Sequence, residues 1–300
     1  TTLLHELLAL DSRHTYPDTY ACLAPSHFLI SRYLVPWWLQ LLMPKRRPMD
    51  NVRVGWNQPQ EDEWALCLLG QPTVYRTIAF PKQLPQCPDY LSLEHLRHDT
   101  KDQWQTTLLQ FLKSLMVGRE EQRLVLKSPT HTARIQTLRS LFPNARFVHV
   151  VRDPLTVFPS TMRLWTKLAI DHGLQLPDEE SLKEWVLDTF EQMYEAFESQ
   201  RAELPGNCIC DVHYEQLVQD PVAEVERVYH LLNLGDFETQ RPALQRRAVA
   251  MSDYQVNQYE MPANLRERIE SRWSSYCDRY GYADRSPASR RDLPVSRRAG

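Results

Sequence analysis

Apolar positions recur at helical spacing over most of the chain and run unbroken only in short stretches. Leu124 to Leu126 is one such run, closed by Lys127, and Phe147 to Val151 is another, closed by Arg152. Short apolar runs of this kind predict buried strands. Between them, Ser128-Pro129 supplies an N-cap residue and a proline suited to the first helical position. Ile135, Leu138, Leu141 and Phe142 then mark one apolar helix face, and Pro143-Asn144 stops it. Asp153-Pro154 repeats the cap-plus-proline start for a helix running to about Trp165. The order is strand, helix, strand, helix, with a connection long enough for a right-handed parallel crossover.

The same pattern carries through the rest of the chain. Thr1 to Leu10 reads as a helix, and Arg13 to Tyr20 as a turn-rich loop. A helix starts at Pro59-Gln60-Glu61-Asp62-Glu63, its acids favoured there by the helix dipole. The proline-rich stretch from 72 to 90 reads as loop. One or two helices follow between Leu91 and Met116, ended by Gly118. Leu182 to Leu204 forms a long amphipathic helix with Trp185, Phe190, Met193, Tyr194 and Phe197 on its apolar side, a spacing that signals core. Cys208 to His213 predicts a further strand, Asp220-Pro221 opens a helix to about Leu232, and Pro262 to Tyr280 is helical up to Gly281. Tyr33 to Met43 is apolar, but eleven residues are too few to span a bilayer. Trp37-Trp38 within it reads as core, and Lys45-Arg46-Arg47 as a solvated basic turn.

Both strands of the organising stretch end in a cation at a helix start. In an open parallel sheet, ligands bind beyond the carboxyl ends of the strands, where helix N-termini favour anions. Lys127 and Arg152 together predict a multiply anionic ligand; the plain alternative is two strand-end charges paired with surface carboxylates.

Lys127, Phe142-Pro143-Asn144-Ala145-Arg146-Phe147, Arg152-Asp153-Pro154 and Ser160, eight residues after Arg152, in this order resemble the sulfotransferase superfamily. The likeness is to its bacterial branch, related to the tyrosylprotein sulfotransferases. Such enzymes transfer sulfonate from 3′-phosphoadenosine 5′-phosphosulfate (PAPS). The resemblance implies an α/β fold of the P-loop nucleotide-binding type, with a central, mainly parallel sheet flanked by helices. It implies that Arg152 and Ser160 hold the 3′-phosphate and that Lys127 neutralises charge on the leaving phosphate side. Thr1 and Thr2 match the last hydroxyls of the family's phosphate loop, so the strand, Arg and Gly of that loop are expected before Thr1, and the chain reads as N-terminally truncated. Tyr214, in Tyr214-Glu215-Gln216-Leu217, matches a nucleotide-contacting tyrosine. Between Met251 and Tyr259, where relatives close over the nucleotide with a basic residue, the chain has Asn257 and Tyr259 but no Lys or Arg, which leaves a third 3′-phosphate contact unassigned.

Sulfonate transfer to a hydroxyl needs a base for the acceptor proton. Asp18 and His27 are the candidates by position, with His5 a weaker third. Asp18 also reads as a turn residue, and His27 as a cap or packing residue. Glu61 or Glu63 is a candidate acceptor-site element. No His/Asp/Glu group has metal-ligand spacing, and no metal is expected.

Composition narrows the picture little further. With 300 residues, 42% hydrophobic and 24% charged, the chain can bury a real core. A net charge of −3 argues against nucleic acid as a partner. The six cysteines are scattered without metal or redox spacing, which suggests a reducing, cytoplasmic setting. One domain is expected over residues 1–282, followed by a disordered Arg-rich tail over 283–300. The resemblance implies an acceptor hydroxyl or, second to it, an amine; its carrier stays open among glycan, protein tyrosine, lipid and small alcohol or phenol, and so does oligomeric state. The alternatives are a small-molecule kinase of the P-loop type and a non-catalytic nucleotide-binding or scaffold protein of the same fold.

Overall fold

The computed structural model describes residues 1–34, 55–251 and 261–283. The expectations for Trp37-Trp38, Lys45-Arg46-Arg47, Asn257, Tyr259 and the tail past Ala283 lie outside them. Two parallel ladders form the β structure. Strand β1 (His14–Thr15) pairs with β2 (Arg123–Leu124), and β3 (Phe147–Val151) pairs with β4 (Ile209–His213) in the register Phe147↔Ile209 to Val151↔His213. The two runs predicted to flank one crossover are therefore each laddered to another partner, not to each other. β1 has no apolar run. Its strand character comes from backbone bonds, Arg123 N–H to the Arg13 carbonyl and Val125 N–H to the Thr15 carbonyl, both 2.8 Å.

Helices pack around the ladders. α1 (Thr2–Leu8) leads into β1, followed by α2 (Thr19–Leu23) and α3 (Phe28–Ser31). α4 (Asp62–Leu68) and α5 (His98–Leu115) close a core with α2 around Ala65, Leu66, Trp104, Leu108 and Leu112. After β2 the chain makes a 3₁₀ turn over Pro129–Arg134 and then α6 (Ile135–Leu141). Ser128 holds the N-cap position of that turn, but its hydroxyl does not cap it: it donates to Asp62 Oδ1 at 3.0 Å.

α7 (Pro154–His172) and α8 (Glu179–Arg201) cover β3. α7 starts as the sequence predicts, with Asp153 accepting from Leu155 N–H at 2.9 Å, and runs past Trp165 to His172. β4 is followed by α9 (Tyr214–Gln219), α10 (Pro221–Leu232), α11 (Arg241–Ala250), α12 (Ala263–Arg272) and α13 (Ser274–Tyr280). α13 ends at Gly281 with φ +73°, a left-handed position that glycine takes without a Cβ clash. A second core joins Phe158, Trp185, Phe190, Trp273 and Tyr276, and a third joins α1 to β4 and α10 through Leu7, Val212, Val225 and Leu232. No helix among the described residues is long and apolar enough to cross a membrane. No disulfide joins any of the six cysteines.

Candidate active site

The first turn of α4 meets the segment that follows β2, and its three successive acids take three different partners. Glu61 Oε1 lies 2.6 Å from Lys127 Nζ, and its Oε2 accepts from the Tyr75 hydroxyl. Asp62 is fully buried; it accepts from Ser128, and His131 Nε2 stands 2.9 Å from its other oxygen. Burial would raise the Asp62 pKa, but His131 and the Ser128 hydroxyl outweigh it and hold the carboxyl below its ordinary value. Glu63 accepts from Arg134 Nη1 at 2.6 Å, from Thr130 at 2.9 Å and from Thr73. Arg134 is sealed in the interior, with Nε on the Leu91 carbonyl and the guanidinium over the Trp104 ring at 5.0 Å. These contacts fix the position of Lys127 relative to α4.

The end of β3 is held with equal care. The Tyr276 hydroxyl accepts from Arg152 N–H at 3.0 Å and donates to the Arg152 carbonyl at 2.9 Å. Glu215 accepts from Asp153 N–H at 3.1 Å and from the Tyr282 hydroxyl at 3.0 Å. The Arg152 guanidinium lies 4.4 Å from the Tyr214 ring centre and pairs with no carboxylate among the described residues. A cation placed on an aromatic face, with its backbone clamped and no acidic partner, fits an anionic group.

A cavity of about 950 Å³ connects these two rims. Leu124 to Leu126 and Phe147 to Val150 are among the residues that line it. Of the residues singled out in the sequence, Lys127, Arg152, Ser160 and Thr1 line this cavity, and so does Glu61. Thr2 opens α1 and Tyr214 is buried beneath Arg152; neither is among its described lining residues.

The two positional candidates for the base sit elsewhere. Asp18 is the N-cap of α2: it accepts from Ala21 N–H at 2.8 Å, and Arg32 grips both its oxygens at 2.7 and 2.8 Å. His27 is exposed at the start of α3, its Nδ1 2.7 Å from the Ser31 hydroxyl. Neither is among the described cavity-lining residues. His5 does line the cavity. Its Nε2 is 3.3 Å from the Val125 carbonyl, so Nε2 carries the proton, and its buried Nδ1 has no partner among the described residues. Burial first, and then Lys127, push the His5 pKa down to about 4, which keeps the ring neutral near pH 7.

Comparison with known proteins agrees with the fold. Residues 1–238 match the model of the Sulfotransferase family. The chain is 39% identical over 295 residues to omega-hydroxy-beta-dihydromenaquinone-9 sulfotransferase Stf3 of Mycobacterium bovis and of Mycobacterium tuberculosis, an alignment covering 98% of this chain and 76% of the relative. Among solved structures, sulfotransferase STF9 from Mycobacterium avium superposes with a TM-score of 0.68 at 17% identity, over 93% of this chain and 73% of that one. Sulfotransferase STF1 from Mycobacterium tuberculosis gives 0.63 at 21% identity, over 91% and 73%. At those identities the two structures speak for the shared α/β, P-loop-like fold. The family match over most of the chain and the long alignment to Stf3 carry the rest: this protein belongs to the sulfotransferase family and its function is that of a sulfotransferase.

Proposed function

We propose that the chain transfers sulfonate from PAPS to an acceptor hydroxyl, with Glu61 as the base. In the balanced reaction, the acceptor oxygen forms a bond to sulfur and the bond from sulfur to the bridging phosphate oxygen breaks. The hydroxyl proton passes to Glu61, and the products are a sulfate ester and 3′-phosphoadenosine 5′-phosphate. The observation that carries this reading is the 2.6 Å contact between Lys127 and Glu61 at the rim of the cavity that Arg152 and Ser160 also line. One cation for the leaving oxygen and one carboxylate for the incoming hydroxyl stand side by side. The 39% identical relative, an omega-hydroxy-beta-dihydromenaquinone-9 sulfotransferase, supports an alcohol as acceptor.

The residues divide the work as follows. Arg152, steadied on Tyr214 and clamped by Tyr276, holds the 3′-phosphate with Ser160. Thr1 and Thr2 offer hydroxyls at the 5′ end. Lys127 leaves Glu61 for the bridging oxygen as charge develops there, and Glu61 takes the acceptor proton. Such transfer rests on positioning and fixed charge, as phosphoryl transfer does. Asp18 and His27 serve less well in the base role, since Asp18 is spent on a cap and an ion pair and His27 faces solvent.

Calorimetric titration with 3′-phosphoadenosine 5′-phosphate beside AMP tests the donor half. Binding that needs the 3′-phosphate is the expected result, and equal affinity for both nucleotides would remove Arg152 and Ser160 from the assigned role.

A further inference from the structure

One hydroxyl clamps the Arg152 backbone, and it ends a row of polar side chains that crosses the core. His149 of β3 stands opposite Asp211 of β4 in the ladder, its Nδ1 2.8 Å from Asp211 Oδ1. Its Nε2 lies 3.0 Å from the Tyr194 hydroxyl on α8. That hydroxyl bonds the Tyr276 hydroxyl on α13, the two ring centres 4.6 Å apart. Tyr276 in turn meets both the N–H and the carbonyl of Arg152. His149 and Tyr276 are buried, and Phe190 and Phe197 pack against the row. Polar groups in such surroundings cost stability unless their bonds are made.

The row is one proton short when the His149 ring is neutral. Its contacts Asp211–His149, His149–Tyr194, Tyr194–Tyr276 and Tyr276–Arg152 carbonyl each need a proton. A carboxylate only accepts, and Arg201 grips both Asp211 oxygens at 2.6 and 2.8 Å, so His149 Nδ1 carries a proton. The neutral ring then takes the Tyr194 proton on Nε2, and Tyr276 must divide its own between Tyr194 and the Arg152 carbonyl. The imidazolium supplies what is missing. Nε2 donates to Tyr194, Tyr194 to Tyr276, and Tyr276 keeps the Arg152 carbonyl. On the reading that Arg152 holds the 3′-phosphate, we infer that His149 and Tyr194 are positioning residues for the donor nucleotide, acting through the Tyr276 clamp and setting it by the proton on His149. Coupling between two binding events is reciprocal, so a ligand that uses the clamped Arg152 draws that proton in. Among the described residues, the titratable and charged side chains facing the ring are Asp211 on β4, Tyr194, Glu198 and Arg201 on α8, and Tyr280 on α13. Burial, the largest influence, pushes the His149 pKa below its ordinary 6.5; Asp211 opposes this, Arg201 adds to it and Glu198 opposes it. The ring is therefore neutral near pH 7, and the row is completed as pH falls.

The test measures affinity for 3′-phosphoadenosine 5′-phosphate and for AMP from about pH 7.5 to about pH 5 in the native chain, Tyr194→Phe and His149→Gln. Calorimetry in the middle of that range, in two buffers of different ionisation enthalpy, adds the proton count on binding. Tyr194→Phe keeps the ring and breaks the row at its middle. His149→Gln cannot take the second proton, and it guards against a Tyr194 variant that folds poorly. As pH falls, the native preference for the bisphosphate over AMP should rise relative to both variants by about fivefold, the worth of one neutral hydrogen bond. Titration of the ligand's own phosphates is common to all three proteins and cancels. Native binding of the bisphosphate should also take up more protons than binding by either variant. A row that only supports the core would change both nucleotides alike and leave the pH profile and proton count as in the native chain, and that result overturns the inference. The two readings fail separately. A native chain with equal affinity for both nucleotides throughout removes the 3′-phosphate role of Arg152 and the inference with it, whereas a native preference whose pH profile both variants share removes the inference alone.

Discussion

Two acid–cation pairs, two residues apart on one helical turn, separate chemistry from architecture. Glu61–Lys127 and Glu63–Arg134 both join α4 to the segment after β2, each with a closest approach of 2.6 Å. Their side chains differ in exposure, 19% and 14% against 0% and 0%. The inner pair has its remaining valences filled by Thr73, Thr130 and the Tyr90 and Leu91 carbonyls, so nothing can exchange with it. The outer pair faces a cavity, and each of its members can leave the other for a reactant. Burial, not residue type, makes one pair a rivet and leaves the other open to the cavity, where the proposed reaction would take place.

Arg134→Met breaks the inner pair and leaves the Glu63 charge buried without its partner, so it should cost the most, about 3–5 kcal/mol of stability. Chemical denaturation reads this directly; a loss below about 1 kcal/mol would mean that Glu63 finds water and that the two pairs are not different in kind. Glu61→Gln breaks the outer pair instead. It should leave stability within about 1 kcal/mol while kcat falls on the order of 10²–10⁴-fold. Affinity for 3′-phosphoadenosine 5′-phosphate should hold or rise, since Lys127 loses its resting partner. Near-normal turnover in this variant would hand the base role to another residue.

Smaller effects sharpen the picture at the opposite rim. Arg152→Ala should weaken binding of 3′-phosphoadenosine 5′-phosphate by about 1.5–3 kcal/mol, the range for hydrogen bonds to charged groups, with little change for AMP. Equal losses for both would argue against a 3′-phosphate role. Tyr276→Phe keeps the ring but removes the hydroxyl that meets both Arg152 N–H and the Arg152 carbonyl. About 1 kcal/mol is at stake. If the hydroxyl positions Arg152 for the 3′-phosphate, the affinity loss appears for the bisphosphate and not for AMP.

The sequence made the two cations readable because each closes an apolar run and precedes a helix start. β3, the N-cap at Asp153 and the α10 boundaries follow local rules, and the structure places them at Phe147–Val151, before Pro154, and at Pro221–Leu232. What stayed hidden depends on distant contacts. Arg134 meets Glu63 across 71 positions, and Tyr276 meets Arg152 across 124. In sequence, Arg134 is an unremarked charge and Tyr276 one more aromatic at core spacing. α11 escaped for a different reason: only Leu244 of its ten residues is buried, so it has no apolar face to show. Asp18 stood out by position along the chain, yet its place is set by Arg32 and the α2 backbone, which no local pattern reveals.

The smallest predicted effect concerns His5, which sits by Lys127 in the outer site and has no counterpart at the inner pair. Burial and Lys127 depress its pKa from the ordinary 6.5 to about 4. Between those values the unfolded chain binds a proton that the folded chain refuses, so stability falls as pH falls through this window. From pH 7 to pH 6 this one group removes roughly 0.7 kcal/mol. In His5→Gln that loss is absent, so the stability difference between native chain and variant should shrink by this amount over the same interval. Denaturation midpoints measured at both pH values decide it. A difference that is flat with pH would mean that His5 titrates normally, with water beside Lys127, and the outer site would then be wetter than its geometry implies.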